Sequence, residues 1–133
     1  MNPRYDAVAS RAFHRCEYCH APEVAFNLQF EVEHIVPPGR GGSSELDNLA
    51  LACRSCNLFK SDQLEALDPH SGALVLPFHP RRDRWSDHIR VHESGELEGL
   101  SATGRATIAQ LRMNASVQAT ARSFWLQVGI YQS

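Results

Sequence analysis

Four cysteines stand in two pairs, Cys16-Glu-Tyr-Cys19 and Cys53-Arg-Ser-Cys56, each with two residues between its sulfurs and thirty-three residues between the pairs. Three chemistries fit this pattern. A disulfide pair is disfavoured in a reducing cytosol. Cys16-Glu-Tyr-Cys19-His20 formally matches a haem-attachment pattern. That use leaves Cys53 and Cys56 unexplained and needs export, so no haem is expected. The third is a four-thiolate zinc site. Zinc is tetrahedral and takes soft thiolates, and a two-residue gap lets both sulfurs of a knuckle face one ion. Such a site is closed, so any catalysis must come from other residues.

Glu33-His34 and Asn48 lie between the knuckles, and Asn57 directly follows the second. A carboxylate oxygen and an amide oxygen are hard donors, suited to Mg²⁺ or Mn²⁺. A neighbouring imidazole titrates near neutral pH and can take a proton from water. Metal, water and base are what phosphodiester hydrolysis requires. A zinc ion clamping the two pairs closes the segment into a loop, which lets these distant side chains converge. Each also has a plainer use: His34 as a strand-end histidine, Glu33 as a solvated strand residue, Asn48 in a turn, Asn57 capping free amides at a helix start.

Taken together, Glu33-His34-Ile35-Val36-Pro37, Gly41-Gly42, Asp47-Asn48-Leu49, Cys53-Arg-Ser-Cys56-Asn57 and Lys60 resemble the HNH endonuclease motif over residues 13–62. The resemblance implies a ββα-metal core with a structural Zn²⁺ on Cys16, Cys19, Cys53 and Cys56. It implies His34 as general base, Glu33 and Asn57 as ligands of a catalytic Mg²⁺ or Mn²⁺, and Asn48 as the residue that pins the loop and orients His34. Lys60 falls where many members carry a basic residue that touches phosphate. Asn57 replaces the histidine that closes the family's name, and Glu33 is one methylene longer than the commoner Asp. DNA is the implied substrate, with 5′-phosphate and 3′-hydroxyl ends. The segment from Pro80 to about Gly129, with Arg81, Trp85, His88, Gly104-Arg105 and Asn114, is similar to the carboxy-terminal extension of some small bacterial HNH proteins.

The elements that must position these groups follow from periodicity. Residues 3–14 read as a helix with Ala7, Val8, Ala12 and Phe13 inward. Residues 26–36 alternate as a half-buried strand, with Phe26, Leu28, Phe30 and Val32 on one face and Glu31 and Glu33 on the other. A turn-rich loop over 37–43 follows. Leu49 to Ala52 is a second strand, and a helix runs from Arg54 to about Ser61. Beyond it, 73–78 reads as a strand and 88–100 as a hairpin with a Ser-Gly turn. Helices are expected from Ser101 or Thr103 through Met113 and from about Ala115 to Val128. This order is an α+β arrangement. It makes one domain over 1–133, with a zinc-knuckle core at 13–62 and an extension over 71–133 packing on it.

Composition limits the partners. At 133 residues, 43% apolar and 21% charged, the chain is an ordinary globular length and composition. The net charge of −2 excludes a strongly basic nucleic-acid coat, so DNA contact must be local. Arg40 and Arg54 flank the proposed site and are candidate phosphate contacts with Lys60. Arg81-Arg82-Asp83-Arg84-Trp85 is a second basic run, with Trp85 either stacking on bases or sitting in the core. His20 is a spare zinc ligand at most, and Phe124 and Trp125 read as core. No apolar run is long enough for a membrane span, and the amino end lacks a signal-peptide core, so the expected location is cytoplasmic. Oligomeric state leaves no signal in the sequence. The leading expectation is a divalent-metal-dependent DNA endonuclease. The alternatives are a non-catalytic, zinc-stapled module binding nucleic acid or protein, and a phosphodiesterase for small substrates.

Overall fold

The computed structural model describes residues 2–132. Helix α1 (Tyr5–Arg11) carries Asp6 in its first turn and Arg11 in its last, each favourable to the helix dipole. It buries Tyr5, Val8 and Ala9, one stripe at helical spacing. The helix is shorter than expected, because Phe13 and His14 both adopt left-handed backbone, φ 56° and 54°. Phe13 is thereby turned outward and is 80% exposed, correcting its assignment to the core.

Strands β1 (Glu31–His34) and β2 (Leu49–Ala52) pair antiparallel, with Glu31 opposite Ala52 and His34 opposite Leu49. All of β2 is buried. The paired part of β1 is only four residues, not the eleven the alternation suggests. Upstream, a 3-10 turn (Glu23–Ala25) intervenes, and Phe26 and Leu28 stay largely exposed while Phe30 is buried. Helix α2 (Arg54–Lys60) follows β2 directly and covers the Glu31/Glu33 face of β1. Glu33 therefore lies inside, not in solvent as the alternation implied.

The rest of the chain builds three further pieces. Strands β3 (Ala66–Leu67) and β4 (Leu74–Val75) form a two-residue ladder, and β3 was not anticipated. Asp68, fully buried at its turn, receives the Arg105 guanidinium at 3.0 and 2.9 Å. Those hydrogen bonds hold its carboxyl well below the usual range. A short helix α3 (Trp85–His88) precedes the hairpin β5 (Ile89–Val91) and β6 (Leu97–Gly99). Helix α4 (Ala102–Gln110) starts at Ser101, whose hydroxyl accepts from the Gly104 amide. A Cβ at Gly104 would meet the His88 carbonyl at 1.9 Å, so glycine is what lets α4 approach α3. Helix α5 (Ser116–Gln127) is fastened by buried Arg122, which donates to the carbonyls of Gly95 and Met113. Phe124 is 59% exposed, not core, and Trp125 is half-buried.

One apolar core joins the knuckle region to these later elements, running from Tyr5 and Val8 through Leu51 and Cys56 to Trp85, Ile108 and Met113. The arrangement is α+β, with three two-stranded sheets among the described residues. Among the described residues, no helix is long and apolar enough to cross a membrane.

Candidate metal centre and strand-end site

Cys16, Cys19, Cys53 and Cys56 are all buried, and their sulfurs lie within 4.8 Å of one another. The Cys19 and Cys53 sulfurs are 3.8 Å apart. That is too far for a disulfide bond and close to the edge of a tetrahedron built on zinc–sulfur bonds of about 2.3 Å. Each knuckle directs its chain inward: the Cys19 amide donates to the Cys16 sulfur and the Cys56 amide to the Cys53 sulfur. Cys53 is also the N-cap of α2, so one residue both starts the helix and faces the centre. Hydrogen bonds from the other three sulfurs pull the Cys53 thiol far below its ordinary range, while Cys19 and Cys56 are pushed up. Four buried, converging sulfurs are a donor set that fits Zn²⁺.

The first knuckle is held on every side. The Glu17 backbone amide donates to the Leu51 carbonyl at 2.8 Å, and the Leu51 amide returns a bond to the Glu17 carboxylate at 2.9 Å. The Trp85 indole donates to the Tyr18 carbonyl at 2.8 Å, and the Tyr131 hydroxyl to the Cys19 carbonyl at 2.8 Å. His20 stacks on Trp85 with ring centroids 4.0 Å apart, and burial lowers its pKa to about 4. Trp85 is therefore core, and Arg81 beside it pairs with Glu17. The basic run at 81–85 is used internally at these two positions.

His34 ends β1 at the rim of the loop that leads back to β2. Its Nε2 meets the Ser44 hydroxyl at 3.1 Å. Asn48 bridges that loop: its side chain accepts from the Val36 amide at 2.9 Å and donates to the carbonyls of Val36 at 2.9 Å and Ser43 at 2.7 Å. Gly41 takes the left-handed φ of 88° that closes the 3-10 turn Pro38–Arg40. A Cβ at Gly42 would meet the Val36 carbonyl at 1.7 Å, so this glycine is required where the loop presses on the strand end. Arg40 is exposed on this loop, and the Arg54 side chain is 81% exposed at the start of α2.

The inner face of β1 is different from the expectation. Glu33 is 7% exposed and spends both carboxylate oxygens inside the protein, accepting from the Tyr18 hydroxyl and pairing with the Lys60 ammonium at 3.1 Å. Burial raises its pKa above the usual range, against the pull of Lys60 and Tyr18. Lys60 is 5% exposed and also donates to the carbonyls of His34 at 3.2 Å and Ile35 at 2.8 Å. Its ammonium is engaged inside the fold by the Glu33 carboxylate and these two carbonyls. Asn57 meets Glu31, not Glu33. The structure thus groups the side chain of His34 with Ser44, Glu33 with Lys60 and Tyr18, and Glu31 with Asn57 and Arg54. Glu31, which the sequence reading did not single out, is the carboxylate that meets Asn57. The signal was present in the period-2 spacing, which puts residues 31 and 33 on the same face.

Residues 16–63 match the family model described as HNH endonuclease. No curated protein and no solved structure matches the chain.

Proposed function

We propose, from the match of residues 16–63 to the HNH endonuclease family model, that the protein is a divalent-metal-dependent endonuclease that hydrolyses phosphodiester bonds in DNA. The observation carrying this reading is the presentation of His34. A ring at a strand end, held through Nε2 by Ser44, keeps Nδ1 for the proton of an attacking water when Nε2 bears the hydrogen. Asn48 acts through the backbone: it ties the strand exit at Val36 to Ser43, and so sets where Ser44 and the imidazole stand. Lys60 fixes the carbonyl of His34 itself from beneath. Arg40 and Arg54 supply exposed guanidinium groups for the phosphates on either side. Hard oxygen donors on β1 and α2, with Asn57 among them, would hold Mg²⁺ or Mn²⁺, which neutralises charge on the attacked phosphate and the leaving oxygen. The zinc centre is structural in this reading.

The test is cleavage of supercoiled plasmid with Mg²⁺ or Mn²⁺ by the wild type and His34→Ala. Loss of cleavage in the variant is expected, and equal nicking by both removes His34 from the mechanism.

A second reading has its own support. Glu33 and Lys60 neutralise each other inside the fold, as in a scaffold with no catalytic metal. A zinc-stapled binding module for nucleic acid or protein would take up one zinc, no second divalent ion, and cut no form of DNA.

A further inference from the structure

We propose that the hard divalent cation is held by Glu31 and Asn57, and that Glu33, the residue the family motif nominates, does not hold it. This rests on the reading of the chain as a metal-dependent nuclease and changes which carboxylate serves it. To hold the cation, Glu33 would have to give up its present partners. Its oxygens are engaged by Tyr18 and by Lys60 at 3.1 Å, and Lys60 is 5% exposed. A dication on the same carboxylate would stand beside a buried ammonium, and like charges in a poorly hydrated interior repel strongly. Freeing Glu33 would instead strand Lys60 without an anion, which is among the costliest changes a buried pair can suffer. The ammonium also holds the carbonyls of His34 and Ile35. Glu33 is therefore a positioning residue that acts through Lys60 on the backbone of the proposed base.

Glu31 is constrained less, because its charged partner is exposed. It lies two residues earlier on the same face of β1, its side chain is 39% exposed, and it touches the side chain of Asn57. Its other oxygen is 3.8 Å from the Arg54 guanidinium, an exposed and readily exchanged pair. A half-turn of the Asn57 amide exchanges its nitrogen for its oxygen, and the pair then presents two hard donors on one side. Two protein donors with open positions left for water and phosphate are the usual protein share for Mg²⁺.

The proposal is tested with Mn²⁺ alone, by calorimetry and by the loss of the free-ion paramagnetic resonance signal, on zinc-loaded protein. We expect Glu31→Gln to weaken Mn²⁺ binding tenfold or more while retaining one zinc and native circular dichroism. Glu33→Gln should leave Mn²⁺ affinity within threefold while lowering thermal stability. Moving the carboxylate across the pair, Glu31→Gln with Asn57→Asp, should restore at least half of the lost affinity on a logarithmic scale. Should Glu33→Gln be too unstable to isolate, the Glu31 pair of variants decides alone. Wild-type affinity in Glu31→Gln overturns the assignment, as does absence of any Mn²⁺ binding by the wild type. Plasmid cleavage is read separately. If Mn²⁺ binds through Glu31 yet no DNA is cut, the nuclease reading fails and the site stands. If DNA is cut and Glu31→Gln binds Mn²⁺ normally, the reading stands and the site fails.

Discussion

Replacing Lys60 by methionine separates a buried strut from a surface phosphate contact. Methionine keeps much of the stem's bulk, so the main loss is the ammonium. Three acceptors lose their donor: the Glu33 carboxylate at 3.1 Å and the carbonyls of His34 and Ile35 at 3.2 and 2.8 Å. Removing one partner of a buried pair costs about 3–5 kcal/mol. Glu33 can escape part of this by taking a proton. From an ordinary carboxyl pKa near 4.3, that escape costs about 5 kcal/mol at pH 8 and roughly 1.6 kcal/mol at pH 5.5, at 1.36 kcal/mol per unit. The carbonyls left without a donor add about 1 kcal/mol at either pH. Lys60→Met should therefore lose about 4–5 kcal/mol at pH 8 and about 2–3 kcal/mol at pH 5.5. The sign follows because a carboxyl whose folded pKa lies above its unfolded value favours the folded state less as pH rises through that interval. Urea unfolding of zinc-saturated protein, followed by tryptophan fluorescence, gives both numbers. Adding Glu33→Gln to Lys60→Met should recover stability at pH 8. A loss under about 1 kcal/mol with no pH dependence refutes the argument and returns Lys60 to the surface.

Other perturbations test the remaining supports. Gly42→Ala drives a methyl into the Val36 carbonyl and close to the Asn48 amide, so it should cost about 2 kcal/mol or more and reduce cleavage, while Gly39→Ala, with open space around it, stays within about 0.5 kcal/mol by thermal melting. Glu23 accepts from the Tyr5 hydroxyl at 2.7 Å and the Phe30 amide at 2.6 Å, and meets His14 Nδ1 at 2.8 Å. Burial pushes its pKa up, but these hydrogen bonds together bring it below the ordinary range. Glu23→Gln should thus be less stable by about 2 kcal/mol near neutrality. The difference should shrink as pH falls from the unfolded carboxyl pKa through the lower folded one, as urea midpoints across pH will show. Stripping zinc from reduced protein with a strong chelator, or substituting Cys56→Ser, should collapse the far-ultraviolet circular dichroism, because closing a four-thiolate site is coupled to folding.

The four-cysteine cluster was legible because two short cysteine spacings state their own chemistry, and the four sulfurs do converge where they could hold a metal ion. The β1–β2–α2 order was legible for a similar reason, each element being marked by local residues. What could not be read was which side of β1 faces inward. Period-2 alternation separates Glu31 and Glu33 from Val32 and His34, but the covering groups, Tyr18 and Lys60, come from elsewhere in the chain. The ladder β3–β4 is too short to carry any period. Phe13 and Phe124 show the opposite failure, since an apolar side chain next to a helical stripe says nothing of left-handed backbone or of where the last helix meets its neighbours.

Tyr18 sits between two of the four clustered cysteines, and its hydroxyl reaches the carboxylate of Glu33 on the strand that ends in His34. One phenol and one ion pair thus connect the cysteine cluster to the backbone carbonyl of His34. If zinc binding and hard-cation binding are coupled, the coupling is reciprocal: the factor by which zinc alters the affinity for the hard cation is the factor by which that cation alters the affinity for zinc. Zinc exchange measured with and without Mn²⁺ would then report on events at the strand end without a single bond in DNA being broken.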